Sequence, residues 1–100
     1  MEPQKLQEFS EILKALGHPI RLKIVEGLIQ DPCHVNEIVR GLGLPQSTVS
    51  QHLGILRSRG IISPRKEGVR TCYLVTDTRI RAIIKLLGDN PHKNLKMKLQ

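Results

Sequence analysis

Aromatic residues are almost absent from this chain: its 100 residues include one Phe, one Tyr and no Trp. The core must therefore be built from aliphatic side chains, which the 39% of hydrophobic residues can supply. A chain of this length buries one core but not two. We therefore expect a single globular domain with a core of Leu, Ile and Val.

Cysteine is also scarce, since only Cys33 and Cys72 occur. Two residues cannot form a disulfide scaffold, and in a reducing compartment both thiols are expected to be free. No apolar run approaches the ~18 residues that a membrane span requires, and the amphipathic start predicts no signal peptide. These absences predict a cytoplasmic protein that does not contact a membrane.

The sequence also lacks the patterns of an enzyme. It has no Gly-rich phosphate loop, no nucleophile with a base and an orienting group, and no metal-binding triad. Acidic residues are few, because 9 Asp and Glu face 16 Lys and Arg, which gives a formal net charge of +7. A small basic domain of this kind is typical of proteins that bind a polyanion, so nucleic acid is the first partner to consider.

Apolar residues spaced three or four positions apart predict five helices. Pro, Asn and Thr at their starts and Gly at their ends set the boundaries. Extended segments rich in β-branched residues predict a short strand before the third helix and a hairpin after the fourth. The helices are expected at 6–17, 19–29, 36–42, 45–60 and 76–87, and the extended segments at 33–35, 61–65 and 69–75.

This order of elements predicts a mainly α fold with a small β-wing: a winged helix-turn-helix with one added helix at each end. The predicted domain covers residues 1–90. Residues 91–100 are basic and are expected to form a flexible tail.

The segment from Val35 to Gly60 has the spacing of a helix-turn-helix. The second helix of such a unit enters the major groove, where small polar side chains can hydrogen-bond base edges. The residues predicted to contact bases are Gln46, Ser47, Thr48, Ser50, Gln51 and His52. For His52, the sequence leaves open whether the imidazole faces DNA or the core.

Basic residues flank this helix and occupy the predicted hairpin, where they can neutralise phosphates and direct the wing toward the minor groove. They are Arg57, Arg59, Arg65, Lys66 and Arg70. The alternative, that these residues form only a solvated surface, does not explain why Pro, small hydroxyls and arginines coincide.

In combination, these motifs resemble the ArsR/SmtB family of bacterial repressors. The matching segments are LKALGHPIRLKIVEGL at 13–28, LGLPQSTVSQHLGILRSRGII at 42–62 and RKEGVRTCYLVTD at 65–77. The resemblance implies a homodimer that occupies an operator overlapping a promoter and leaves when an inducer binds.

The resemblance further implies that the first and last helices build the dimer interface, which agrees with their apolar stripes. A two-fold dimer predicts a pseudo-palindromic operator with half-sites about one helical turn apart. The alternative is that both helices only close the core of the monomer. The residues predicted at the dimer interface are Leu6, Phe9, Ile12, Leu13, Ile80, Ile83, Ile84 and Leu87.

The metal sites that recur in this family are incomplete here. A Cys-x-Cys pair is expected at the start of the third helix, but this chain reads His34-Val35-Asn36, with Cys33 one place early. The last helix offers Asp77 and lacks the His pairs that tetrahedral zinc needs. A zinc or nickel sensor is therefore disfavoured, no cofactor is required, and the inducer is not identified.

Cys33 and Cys72 nevertheless fall on segments that can lie side by side in a winged helix. Two adjacent thiols can form a disulfide or polysulfide bridge, or bind arsenite or another soft metal. His34 could supply a nitrogen ligand or help to form a thiolate. The alternative is that both cysteines are small apolar residues at the edge of the core.

Two other functions remain open from the sequence. The chain could be a winged-helix module that contacts an acidic protein, or a regulator of the same family without thiol or metal sensing. A steep salt dependence of binding to duplex DNA distinguishes DNA binding from protein docking.

Overall fold

The computed structural model describes residues 1–89. It has five helices and one hairpin: α1 (Pro3–Leu16), α2 (Pro19–Gln30), α3 (Val35–Leu42), α4 (Gln46–Ser58), β1 (Ser63–Glu67), β2 (Arg70–Leu74) and α5 (Thr78–Gly88). This order confirms the predicted winged helix-turn-helix with an added helix at each end. The tail predicted at 91–100 lies outside the described residues. Within residues 1–89, no helix is long and apolar enough to cross a membrane.

The core lies where α2 meets the other helices and the start of the hairpin. Its fully buried members are aliphatic apart from one cysteine, as the shortage of aromatic residues predicts. The largest of these side chains are Ile24, Leu28, Leu56, Ile61, Ile62, Val25, Val75 and Cys72.

Two predicted helix starts are confirmed by their capping hydrogen bonds. The His18 side chain accepts a hydrogen bond from the backbone N–H of Ile20 (3.1 Å), so it organises the start of α2. The Asp77 carboxylate accepts from the backbone N–H of Arg79 and caps α5. Hydrogen bonds from the Arg79 side chain are the main reason that the pKa of Asp77 is lowered to about 2.

The short strand predicted at 33–35 is wrong, because Pro32 and Cys33 form a turn and α3 already begins at Val35. The Asp31 carboxylate accepts a hydrogen bond from the Cys33 N–H and fixes this turn. The Asn36 cap predicted for the third helix is wrong for the same reason. One contact of the expected pairing remains, since the Tyr73 N–H donates to the Pro32 carbonyl at 2.8 Å.

The first wing strand begins two residues later than predicted. Ile61 and Ile62 are both buried, because α4 ends in a left-handed Gly60 (φ +71°) whose Schellman hydrogen bonds turn the chain into the core. The strands then pair antiparallel from Ser63 opposite Leu74 to Glu67 opposite Arg70. The turn is Gly68-Val69 rather than residues 66–68.

Candidate nucleic-acid interface

Helix α4 presents a polar N-terminal half to solvent and an apolar side to the core. Gln46, Ser47, Ser50 and Gln51 are exposed, and Thr48 is half-buried. Val49 and Leu56 are buried on the opposite side of the helix. The linker from α3 turns at Gly43, whose φ of +65° favours glycine. The helix-turn-helix thus holds α4 with all six predicted base-contacting residues at least partly accessible, of which Thr48 and His52 are half-buried.

The wing extends past this helix as a two-stranded hairpin. Arg65, Lys66 and Arg70 are exposed on it. Val69 stands at the tip with its side chain fully in solvent. Sequence reasoning missed Val69, although an apolar residue after the glycine of a charged hairpin is a usable signal for a wing tip. Minor-groove binders often insert apolar side chains of this kind between bases.

The basic residues differ in their partners within the protein. Arg59 forms an ion pair with Glu11 of α1 (3.1 Å), and Arg65 forms one with Glu67 on the same strand (2.6 Å). Among residues 1–89, no ion pair involves Arg57, Lys66 or Arg70. These three cations are therefore available to phosphates without breaking an internal contact.

His52 is the sixth residue predicted to contact bases, and its imidazole contacts the protein. Its Nδ1 lies 3.0 Å from an Arg21 guanidinium nitrogen, and its ring centre lies 4.6 Å from that of His18. Arg21 also donates to the Ala15 carbonyl at the end of α1. Because a guanidinium only donates, Nδ1 must accept, and neutral His52 carries its proton on Nε2. Arg21, which sequence reasoning missed, thereby connects the end of α1 to α4.

Burial is the largest cause that lowers the pKa of His52 below its ordinary value of 6.5, followed by the charges of His18 and Arg21. The folded protein therefore resists protonation that the unfolded chain accepts. The stabilising contribution is complete above pH 6.5 and is lost as the pH falls through 6.5 toward the lowered pKa.

We expect His52 to titrate below pH 6.5 in an NMR titration of the imidazole signals. The His52→Asn variant keeps an acceptor near the position of Nδ1 but cannot titrate. Its free energy of unfolding should therefore fall less than that of the wild type as the pH drops below 6.5. A His52 pKa at or above 6.5 would contradict the partly buried position of the imidazole beside His18 and Arg21.

Cys33 and Cys72 are joined by a disulfide, so the two segments do meet. Cys72 is fully buried on β2, whereas Cys33 is half-buried in the turn before α3. The bond ties the wing to the first helix of the helix-turn-helix. The neighbouring His34 forms an ion pair with Asp31 (Nδ1 to Oδ2, 2.6 Å) when protonated.

Soft-metal chemistry is open to this cysteine pair only after reduction, because a disulfide sulfur is not a thiolate ligand. Within residues 1–89, no three His, Cys, Asp or Glu side chains are grouped so that they could hold a metal ion. Asp77, the residue that a family metal site would use, is occupied in capping α5.

The outer helices leave apolar side chains in solvent. Leu6 and Leu13 of α1 are 54% and 55% exposed, and Leu87 of α5 is 68% exposed. A shallow apolar cleft lies between the two helices, formed in part by Phe9, Ile12, Leu13 and Ile83. Ile80, which was predicted at the dimer interface, is 3% exposed and belongs to the core of the protomer. Ile84 also packs against this core.

A family model described as "Bacterial regulatory protein, arsR family" matches residues 18–63, which include the whole helix-turn-helix. An uncharacterized HTH-type transcriptional regulator of Methanocaldococcus jannaschii is 40% identical over 87 residues. That match covers 86% of this chain and 98% of the relative. The transcriptional repressor PagR of Bacillus anthracis is 39% identical over 89 residues. That match covers 88% of this chain and 89% of PagR.

Solved structures extend the likeness to three dimensions. The crystal structure of PagR superposes with a TM-score of 0.75 at 39% identity, over 86% of this chain and 99% of that one. A homodimeric winged helix-turn-helix DNA-binding domain from Mycobacterium bovis, solved by NMR, gives a TM-score of 0.72 at 27% identity. It covers 88% of this chain and 84% of that one.

Proposed function

Because the chain belongs to the arsR family of bacterial regulatory proteins, we propose that it is a dimeric repressor whose operator affinity depends on Cys33 and Cys72. Each protomer places α4 in a major groove and its wing over the neighbouring minor groove. One observation carries the DNA-binding part of this proposal: the polar, exposed half of α4 adjoins a wing with three exposed cations. Since its ligand is DNA, we place the protein in the cytoplasm.

Sequence choice comes from the exposed N-terminal half of α4. Amide side chains such as Gln51 can pair with adenine, and hydroxyls such as Ser50 can bond either partner of a base pair. His52 contributes indirectly, because its contact with Arg21 fixes the orientation of the helix.

Affinity comes mainly from phosphate contacts, which carry little sequence information. Arg57, Lys66 and Arg70 reach phosphates directly. Arg59 and Arg65 can exchange their carboxylate partners for phosphates, because exposed ion pairs contribute only about 0–1 kcal/mol.

Dimerisation uses the exposed apolar faces of α1 and α5. Contiguous apolar surface on a small domain is best explained by a partner, and a second copy supplies the two-fold symmetry that a pseudo-palindromic operator requires. Ile80 supports this surface from inside the protomer rather than contacting the partner. Leu6, Phe9, Leu13 and Leu87 remain available for direct contact.

The thiol switch follows from what the disulfide joins. Reduction separates the two sulfurs to nonbonded contact and removes the covalent tie between β2 and the turn before α3. The reduced wing can then adjust to the DNA backbone, whereas the disulfide restrains it. Because cytoplasmic cysteines are normally reduced, the reduced protein is the resting repressor and the disulfide is the induced state.

Substitutions should separate the two kinds of DNA contact. We expect Gln51→Ala to weaken operator binding by about 1–3 kcal/mol while hardly changing binding to a scrambled duplex. Arg70→Ala should weaken binding to both duplexes alike, because a phosphate contact is independent of sequence. Fluorescence anisotropy with the two duplexes measures both effects. Equal losses on both duplexes for Gln51→Ala would remove α4 from base recognition.

Oxidation should release the operator. We expect the Kd of the disulfide form to exceed that of the reduced form by at least tenfold, measured by anisotropy with peptide masses checked in parallel. The Cys33→Ser and Cys72→Ser variants should bind like the reduced protein and ignore the oxidant.

Arsenite belongs in the same experiment, because the reduced pair offers it two thiolates. If the wild-type Kd is unchanged by an oxidant, a sulfane-sulfur donor and arsenite, the cysteines are structural and the thiol switch is wrong.

A further inference from the structure

A groove with a volume of about 420 Å³ lies between the helix-turn-helix and the wing. That volume falls in the range that admits a small molecule. Of the two disulfide cysteines, Cys33 lines this groove, whereas Cys72 is 0% exposed. Of the two residues, only Cys33 therefore has surface that a reagent can reach from solvent.

We propose that Cys33 is the exchange site of the disulfide, where small thiols attack, and that bound operator DNA closes the route to it. Thiol–disulfide exchange depends on access as well as on the acidity of the groups involved. The attacking thiolate can reach Cys33 through the groove. Cys72, buried on β2, is the leaving group.

Small thiols reduce the disulfide in two exchange steps. A thiolate forms a bond to the sulfur of Cys33 as the Cys33–Cys72 bond breaks. The electron pair of that bond stays on the sulfur of Cys72, which then takes a proton from water. A second thiolate attacks the mixed disulfide at the sulfur of the small thiol and displaces Cys33. Two small thiols are thereby oxidised to one disulfide, and the protein disulfide is reduced to two thiols.

The same groove carries residues assigned above to DNA. Gln46 and Ser50 of α4 form one side of it, and Arg70 of β2 forms another. A duplex held by α4 and the wing therefore covers the entrance to Cys33. This step rests on the proposed mode of DNA binding. Its consequence is that the disulfide of a DNA-bound dimer is protected from small thiols, so the switch is reset only in the free protein.

The test uses the full oxidised chain and two thiol probes of similar size but opposite charge, cysteamine and 2-mercaptoethanesulfonate. Each probe is added to free protein, to protein saturated with operator, and to protein with the same concentration of scrambled duplex. The reaction is stopped in acid, free thiols are labelled with N-ethylmaleimide in denaturant, and peptides are identified by mass spectrometry. Anisotropy of the same samples reports whether DNA is bound.

We expect the mixed disulfide on Cys33 and the maleimide label on Cys72. Saturating operator should slow both probes at least tenfold, whereas the scrambled duplex should slow them less. Cysteamine is the decisive probe, because its attacking thiolate also carries an ammonium group and is not repelled by DNA, so its exclusion requires a covered groove. Protection from the anionic probe alone would mean charge repulsion and would overturn the shielding.

Matched single variants test the asymmetry of the cysteines without the disulfide. With cystamine as the probe, Cys33 in the Cys72→Ser variant should be modified at least tenfold faster than Cys72 in the Cys33→Ser variant. Equal rates, a mixed disulfide on Cys72, or no disulfide in the air-oxidised protein would overturn the proposal. Failure of the proposed function would give a different result from failure of this proposal. Anisotropy would then show no operator binding, or equal binding by the reduced and disulfide forms.

Discussion

Raising the salt concentration from about 50 mM to about 200 mM is expected to weaken operator binding by roughly 10³- to 10⁵-fold. Phosphate contacts release counterions, and a protein with 6–10 such contacts loses about this much affinity. A dimer offers six contacts from Arg57, Lys66 and Arg70, and ten if Arg59 and Arg65 exchange their internal partners. Anisotropy titrations over this salt range measure the slope of the logarithm of the binding constant against the logarithm of the salt concentration.

The slope also distinguishes the competing function. A winged-helix module that docks onto a protein need not bind duplex DNA with such a slope. Arg70→Ala, which removes two contacts from a dimer, should make the slope shallower by about two units. A slope near zero for the wild type would exclude the phosphate contacts and favour the protein-docking alternative.

Truncating Leu56 should have the largest effect on stability. This residue is 0% exposed and packs α4 against the core. We expect Leu56→Ala to lower the free energy of unfolding by about 2–5 kcal/mol, because it removes buried methyl groups and leaves a cavity. Urea denaturation at a fixed protein concentration measures this change, since dimer stability depends on concentration.

The neighbouring residue supplies the control. Ile55 lies on the same helix but is 39% exposed, so Ile55→Ala should change the free energy of unfolding by less than about 1 kcal/mol. Equal losses for the two variants would mean that α4 is not oriented with Leu56 toward the core. The predicted exposure of Ser50 and Gln51 to DNA would then also be wrong.

The helices of this protein were predictable because each carries a local signal. Pro19 and Pro45 mark where α2 and α4 begin, and Gly60 marks where α4 ends. The spacing of apolar residues indicates the buried side of each helix. The sequence predicts the first wing strand two residues too early, because Ile61 and Ile62 are both apolar and β-branched. Such a pair is typical of a strand, but here the Schellman turn at Gly60 places both side chains in the core.

The candidate site was predictable in composition but less so in orientation. The exposed polar residues of α4 follow from helical periodicity, since Val49 and Leu56 must face the core. The contact of His52 with Arg21 could not be predicted, because 31 positions separate the two residues and only the packing of α2 against α4 joins them. Likewise, Cys33 and Cys72 are 39 positions apart, and a turn rather than the expected strand brings Cys33 to β2.

The most direct test of this account is the ratio of two affinities, measured with the reduced protein at about 150 mM salt. One duplex carries the DNA upstream of the protein's own gene, and the other is a scrambled sequence of equal length and composition. For a sequence-specific regulator we expect the upstream duplex to bind at least about 10³-fold more tightly. Equal affinity for the two duplexes would contradict operator recognition by α4.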